Sequence, residues 1–429
     1  MVLIIFHNPS NLPLQRGGFF AAVTEGLCAP VIDSLFLFKQ LLIMSSDEIA
    51  CFTKEAIQQG YGIPFTDGNR VTLLWKGRDL FHTIFDYVRS AKELICLEFY
   101  IFRNDETGAE LASILKQKAS EGVKVYVLYD HFGSFDTPGK FWQELEEAGV
   151  RIRATHPFKW TRPFHYVHRD HKKLIIIDGV KAFTGGLNIA NEYSGYHRFK
   201  KVKGWRDTGI FLEGPIAKIL LDIFKRSWEI WKGGPIDFNK SIEPFEDGIP
   251  AIPIFTDSAK GRRKMRKLLY YSINRARESI YLTTAYFTPS IRMLYLLEDA
   301  VSRGVEVRML LPGRSDVISA HYAGRAFFAK LLKSGVEIYN YRGEILHAKT
   351  AIFDCNWSVI GSANLDFQSL RRNDEGNVGI IDEDFGRQMA EVFFEDLKQS
   401  EQIILEKWKQ RSLWEKLKES FFVIFRMRL

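Results

Sequence analysis

The chain has 429 residues, enough for two or three ordinary domains with sizeable cores. Hydrophobic residues make up 46% and charged residues 26%, a balance that excludes wholesale disorder. The 59 basic and 52 acidic residues leave a net charge of +7, which favours anionic partners such as nucleic acid or acidic lipid without choosing between them.

Residues 1–46 are apolar in patches, but Arg16, Glu25, Asp33 and Lys39, with Pro9, Pro13 and Pro30, break them into pieces too short to span a bilayer. No basic start leads into an apolar run, as a signal peptide requires. Met44 opens a polar stretch, so residues 1–43 read as an extension or the product of an upstream start site. Cys28, Cys51, Cys96 and Cys355 are scattered, without disulfide or Cys-x-x-Cys spacing, which fits a reducing, cytosol-facing location.

From Val71 onward the periodicity predicts helix 77–91, strand 94–102, helix 106–121 and strand 123–129. The second half echoes it with helix 264–276, strand 279–287, helix 291–303 and strand 305–311. The helix-to-strand junctions read Glu121-Gly122-Val123-Lys124-Val125 and Arg303-Gly304-Val305-Glu306-Val307. A second junction repeats around Gly149 and Gly335. Glycine ending a helix before a β-branched run is a stop signal. The pattern predicts a duplicated α/β fold with a largely buried sheet. The expected organisation is an extension at 1–67, a first domain at 68–232, a Gly- and Pro-rich linker at 233–253, a second domain at 254–410 and an amphipathic segment at 411–429.

After the second junction each half carries the same constellation. The first has His171, Lys173 and Asp178, then Gly185-Gly186-Leu187-Asn188; the second has His347, Lys349 and Asp354, then Gly361-Ser362-Ala363-Asn364. The intervals are identical. One His-x-Lys-x4-Asp is usually an ordinary surface pair, but two copies in register with a domain repeat are not. His and Lys two apart project from one face of an extended segment. Two lysines, with donors from Asn188, Ser362 and Asn364, would surround a phosphate. Two histidines supply a nucleophile and an acid/base partner. Each histidine needs a partner to set its tautomer, and Asp207 and Glu375, at the start of strand-like runs, are the candidates.

Zinc is the rival reading, because His156, His165, His168 and His171 crowd together. No cysteine or carboxylate completes a ligand spacing, and the motif lysines would repel a cation. The run 156–166 reads instead as a basic, aromatic insertion without a counterpart in the second half.

These motifs resemble the phospholipase D superfamily and, within it, the bacterial cardiolipin synthases. The likeness covers residues 69–417 and includes segments 97–102, 185–190, 205–207, 212–215, 360–366 and 369–371, with Arg411-Ser412-Leu413-Trp414. It implies two tandem phospholipase-D-like α/β/α sandwich domains related by a pseudo-two-fold duplication, with the active site at their interface. It implies that His171 attacks the phosphodiester of phosphatidylglycerol and releases glycerol, and that His347 protonates that leaving group. His347 then activates a second phosphatidylglycerol, which takes the phosphatidyl group and gives cardiolipin. Lys173 and Lys349 carry the positive charge, so no metal or cofactor is expected, and Asp178 and Asp354 become supporting residues. Partners expected are phosphatidylglycerol, other anionic phospholipids and the membrane surface, not nucleic acid.

Many members carry two N-terminal membrane-spanning helices, which residues 1–46 do not supply. Residues 414–429 place an apolar cluster among basic residues and offer an interfacial helix instead, or a helix docked on the protein's own core. The expected location is the inner (cytoplasmic) membrane, held peripherally or monotopically. Three alternatives stay open: a phospholipase D that uses water and yields phosphatidic acid, a nuclease of the same superfamily, and a non-enzymatic lipid-binding scaffold. All four motif His and Lys residues are present, which argues against the scaffold.

Overall fold

The computed structural model describes residues 52–75, 77–158, 168–196 and 204–425, with the backbone alone at 77–79. The first half runs α1 (Lys54–Tyr61), β1 (Thr66–Leu74), α2 (Gly77–Arg89), β2 (Leu94–Phe99), α3 (Glu106–Ser120), β3 (Lys124–Asp130), α4 (Gly139–Glu147) and β4 (Arg151–Thr155). It continues through β5 (Leu174–Ile177), β6 (Lys181–Gly185), α5 (Asn191–Ser194), β7 (Gly209–Glu213) and α6 (Pro215–Ile230). The second half runs β8 (Ile249–Phe255), α7 (Ala259–Arg275), β9 (Ser279–Thr283), α8 (Ile291–Ser302), β10 (Glu306–Pro312), α9 (Ile318–Arg325), α10 (Phe328–Ser334) and β11 (Glu337–Tyr341). Then come β12 (Thr350–Phe353), β13 (Trp357–Gly361), α11 (Phe367–Arg371), β14 (Gly376–Ile381), α12 (Glu383–Lys398), β15 (Ser400–Gln402), α13 (Leu405–Lys409) and α14 (Leu413–Ile424).

The strands order as β15-β11-β10-β9-β12-β13-β14-β8-β1-β7-β6-β5-β2-β3-β4. Read outward from the β8–β1 seam, each half presents seven corresponding strands in the same order, and the second adds β15 at its outer edge. Only β2-β3-β4 and β9-β10-β11 pair in parallel. The seam shows where the predicted linker ends early. Residues 233–248 are irregular, but β8 begins at Ile249 and bonds to β14 and β1. Its register slips between the pairs Thr66–Ala251 and Asn69–Ile249, at Pro250, which has no N–H to give the ladder.

Helix-to-strand junctions repeat in geometry as well as sequence. Gly122 and Gly304 both have φ of 89°, a left-handed conformation that side chains resist. Nothing lies within 4 Å of a Cβ built at either, so it is φ rather than space that requires glycine. All residues of β2 and β5 are buried, as a sheet covered on both faces demands. One core cluster packs α2, α3 and α4 on the first half, and another packs α1, α7 and α8 on the second. A third, beneath α6 and α12, runs under the strands of both halves.

Residues 52–65, read from sequence as part of an extension, serve the second half. The Phe52 ring lies 5.9 Å from that of Phe353, and Phe65 lies 6.2 Å from Trp357. Ile57 and Tyr61 of α1 join the same core. Residues 1–51 fall outside the described residues.

Candidate active site

Each His-x-Lys segment enters its strand, β5 or β12, from the side of the other half. His171 N donates to the Asp374 carbonyl at 2.8 Å, and Asp374 N donates to the Arg169 carbonyl at 2.9 Å. In the mirror arrangement His347 N donates to the Arg206 carbonyl at 2.7 Å, and Arg206 N to that of Ile345 at 2.9 Å. These crossed main-chain bonds set each motif beside the carboxylate-bearing segment of the opposite copy.

The side chains follow. His171 Nδ1 lies 3.0 Å from Glu375 Oε2, and His347 Nδ1 lies 2.7 Å from Asp207 Oδ2. Both carboxylates are buried. With Nδ1–H donated to a carboxylate, Nε2 of each ring is the free base. Lys173 Nζ donates to the His171 carbonyl at 2.6 Å and lies 5.2 Å from the Tyr100 ring centre. Lys349 Nζ reaches the His347 carbonyl and also lies 2.6 Å from Nδ1. That nitrogen has a single proton to donate, and the ionised Asp207 is the stronger acceptor, so the lysine bond belongs to the carbonyl.

The Gly-x-x-Asn turns divide their work differently from the sequence expectation. Ser362 donates its hydroxyl to Glu375 Oε2 and accepts from Gly376 N at 3.0 Å, so it braces the carboxylate rather than presenting a donor to substrate. In the first half a Cβ at Gly186 would stand 2.1 Å from Asp207 Oδ1, which excludes serine there. Asn188 accepts from Ile101 N at 3.1 Å and donates to the Tyr193 hydroxyl at 2.8 Å. Asn364 accepts from Thr284 Oγ1 and Tyr286 N, and its amide nitrogen has no partner among the described residues. Of the three expected phosphate donors, Ser362 has its hydroxyl committed to Glu375, Asn188 has one amide N–H committed to Tyr193, and Asn364 keeps both of its own.

Asp178 and Asp354 lie at the far ends of β5 and β12, about 13 Å of strand beyond the lysines. Both have φ of 51°. The Asp178 carboxylate accepts from Lys92, Glu93 and Leu94 N–H groups at 2.8–3.2 Å. Asp354 does the same for Arg277, Glu278 and Ser279. They tie the start of β2 and β9 to the motif strand and do not reach the histidines.

Burial lowers the Lys173 ammonium to about 7, only partly offset by Glu375. Burial likewise lowers Lys349 to about 8. The His347 ring is pushed down to about 4 by burial and by the neighbouring Lys349 charge, and burial also lowers His171. For Glu375 burial alone would favour the neutral acid, but His171 and Lys173 hold it below the usual carboxylate range. Two neutral imidazoles, two anionic braces and two desolvated lysines make a site that gains most from an entering anion.

Further buried or half-buried pairs lock the crossed segments. Lys172 lies 2.6 Å from Glu98 and donates to Ser227 Oγ at 2.8 Å. Arg262 meets Asp374 at 2.6 Å, and Arg206 holds Asp396 through Nε and Nη2 at 2.8 and 2.7 Å. Of the crowded histidines, His156 faces Asp130 at 3.5 Å and His168 Nδ1 lies 2.9 Å from the Arg372 carbonyl. His165 and most of the aromatic insertion, 159–167, lie outside the described residues. Among the described residues no group of three or more His, Cys, Asp or Glu is placed to hold a metal ion.

Sequence reasoning did not pick out the aromatic walls. Tyr100 packs 5.0 Å from His171, and Tyr193 and Trp205 pack 5.1 and 5.5 Å from His347. Tyr100 and Trp205 sit inside the segments 97–102 and 205–207 that carried the family resemblance; Tyr193 gave no signal.

Comparison with known proteins followed the same lines. The family described as cardiolipin synthase, PLD-like domain, matches residues 84–228 and 269–397. Cardiolipin synthase 2 of Bacillus anthracis is 35% identical over 356 residues, covering 81% of this chain and 68% of that protein. The major cardiolipin synthase ClsA of Bacillus subtilis is 34% identical over 367 residues, 83% of this chain and 74% of its own. The crystal structure of phosphatidylserine synthase from Haemophilus influenzae Rd KW20 superposes with a TM-score of 0.67 at 14% identity, covering 88% of this chain and 99% of that one. That likeness is one of fold.

Proposed function

We propose, from the premise that the chain belongs to the cardiolipin synthase, PLD-like domain family, that it transfers a phosphatidyl group between two phosphatidylglycerol molecules to give cardiolipin and glycerol. The observation that carries the mechanism is the pair of buried histidines, each bound at Nδ1 by the other half's carboxylate and free at Nε2. Nε2 of His171 attacks phosphorus; the P–O bond to glycerol breaks as His347 gives the leaving oxygen its proton. The phosphohistidine then meets the second phosphatidylglycerol. His347 takes that hydroxyl's proton, the new P–O bond forms and the P–N bond breaks, returning His171 to its starting state. Assignment of His171 as nucleophile follows the family's first motif.

Lys173, Lys349 and the amide of Asn364 hold the phosphate oxygens, whose negative charge raises both lysines and the His347 ring toward their charged forms. Glu375 and Asp207 fix the reacting tautomers. Asp178 and Asp354 hold the strands that present the motifs. Phosphatidylglycerol and related anionic phospholipids are the substrates, with no role for nucleic acid.

The protein works at the inner membrane surface. No helix among the described residues is long and apolar enough to cross a bilayer. α14 offers another attachment. It docks on α9 through its polar edge, Glu415 and Glu419 pairing with Arg325 and Arg411 at 2.6–3.1 Å. Its apolar residues Leu413, Trp414, Leu417, Phe421 and Ile424 turn outward, 55–77% exposed. A helix that turns its acids toward the protein and exposes an apolar face matches a lipid interface.

Product analysis tests the reading: purified protein with phosphatidylglycerol in mixed micelles, with chelator and no added metal. Cardiolipin plus glycerol is the expected result. Phosphatidic acid alone would make the protein a hydrolase, and cleavage of DNA without lipid turnover would make it a nuclease.

A further inference from the structure

Between α6 of the first half and the start of α7 in the second lies a cavity of about 740 Å³ that contains neither histidine. Lys172, bonded to Ser227 of α6, lines it, although its neighbours His171 and Lys173 belong to the reacting cleft. The charge around this cavity is unbalanced. Arg226, Lys260 and Lys264 line it and have no ion-pair partner among the described residues. Of the acids there, Asp222 lies 3.8 Å from Lys225, which leaves Asp257 to face three cations.

Lys260 and Lys264 stand on the first two turns of α7, a helix of 17 residues. Ser258 accepts from Gly261 N at 3.2 Å, which caps one first-turn N–H. The N–H groups of Ala259 and Lys260 have no intrahelical carbonyl to bond and add to the positive end of the helix dipole. An independent observation points the same way. Tyr61 is 2% exposed and lines this cavity, and its hydroxyl has no hydrogen-bond partner among the described residues. That hydroxyl opens on the cavity, where an oxyanion would supply the acceptor that the protein does not.

We propose that this cavity is a second, non-catalytic site for a phosphate-bearing ligand, either a phospholipid headgroup or a soluble phosphate ester. It is wired to the reacting site. Thr256, on the cavity wall, donates its N–H to the Glu375 carbonyl at 2.9 Å and accepts from Glu375 N at 2.8 Å through Oγ1. Glu375 sets the tautomer of His171, so occupation of the cavity acts on the residue that positions the nucleophile.

The test counts phosphates by equilibrium dialysis of the full chain against radiolabelled inorganic phosphate. Wild type is expected to bind two per chain, Lys173→Ala/Lys349→Ala one, and Lys260→Glu/Lys264→Glu one. Combining all four substitutions abolishes binding. Tyr61→Phe weakens the second site about fivefold, the loss of one hydrogen bond. An unchanged stoichiometry in Lys260→Glu/Lys264→Glu overturns the proposal, and that variant alters only side chains on the first turns of α7, so it keeps the fold. Displacement of the second phosphate by monomeric dihexanoyl phosphatidylglycerol, but not by glycerol 3-phosphate, assigns a lipid headgroup; the reverse assigns a soluble ester. The count does not depend on which product the active site makes, so it stands or falls apart from the cardiolipin assay.

Discussion

His171 and Glu375 are 204 residues apart and belong to different copies of the repeat, yet Nδ1 of one lies 3.0 Å from Oε2 of the other. His347 and Asp207 make the reciprocal pair at 2.7 Å. Each copy therefore supplies the histidine of its own motif and the carboxylate that holds its neighbour's.

Breaking either pair tests that exchange. Glu375→Gln keeps the shape but can bond the ring in the wrong tautomer, and its kcat is expected to fall on the order of 10²–10⁴-fold. Asp207→Asn should do likewise through His347. The check is turnover of labelled phosphatidylglycerol beside a thermal melt, with kcat lost and the melt nearly unchanged.

Ser362→Ala separates two roles for the hydroxyl. As a brace on Glu375 its loss lowers kcat roughly tenfold, the value of one bond to a charged group, and leaves KM alone. A rise in KM at constant kcat would instead place the hydroxyl on substrate.

Asp178→Ala should behave as a stability variant. It removes the acceptor for three backbone N–H groups and puts alanine at φ of 51°, and the expected cost is on the order of 3 kcal/mol. Urea unfolding measures that loss. Specific activity of the protein that remains folded at low temperature should stay near wild type.

The lysines set an alkaline limit. In the empty site Lys173 and Lys349 are charged only below about 7 and about 8, respectively. An anionic substrate needs those charges, so kcat/KM, which reports the free enzyme, declines as pH rises through that range. The kcat limb lies higher, because a bound phosphodiester raises both lysines. Steady-state profiles in micelles of fixed composition would show the separation.

The outward face of α14 predicts a soluble defect of a particular kind. Leu417→Asp/Phe421→Asp should lower binding to phosphatidylglycerol vesicles at least tenfold in sedimentation. Turnover of monomeric short-chain phosphatidylglycerol should be unaffected, since the helix docks through Glu415 and Glu419, which the variant leaves intact.

Much of this was legible in the sequence. The repeated junctions at Gly122 and Gly304, and the matched intervals from histidine to glycine, announced a duplicated α/β fold, because helix stops and strand alternation are local properties. Asp207 and Glu375 could be named as braces from their place before a strand. Which histidine each serves could not, since that depends on how two copies face one another. At Ser362 a hydroxyl beside an asparagine advertises a donor without showing that Glu375 already accepts from it. The outward turn of α14 was hidden for the same reason: its pattern shows two faces, and only Arg325 and Arg411 decide which one is covered.

The packing of Phe52, Ile57 and Tyr61 into the second half has a consequence for synthesis. Phe353, the ring partner of Phe52, and Trp357 of the same core are about 300 residues downstream, which at roughly 5–20 residues per second takes on the order of 15–60 s to translate. For that interval the ribosome holds out a nascent chain whose helix α1 lacks the core it will join, while the first half behind it can already fold. The newborn protein is thus left sticky at one end until translation is nearly done, a window in which a chaperone or a neighbouring chain competes for α1 with the core it is destined to join.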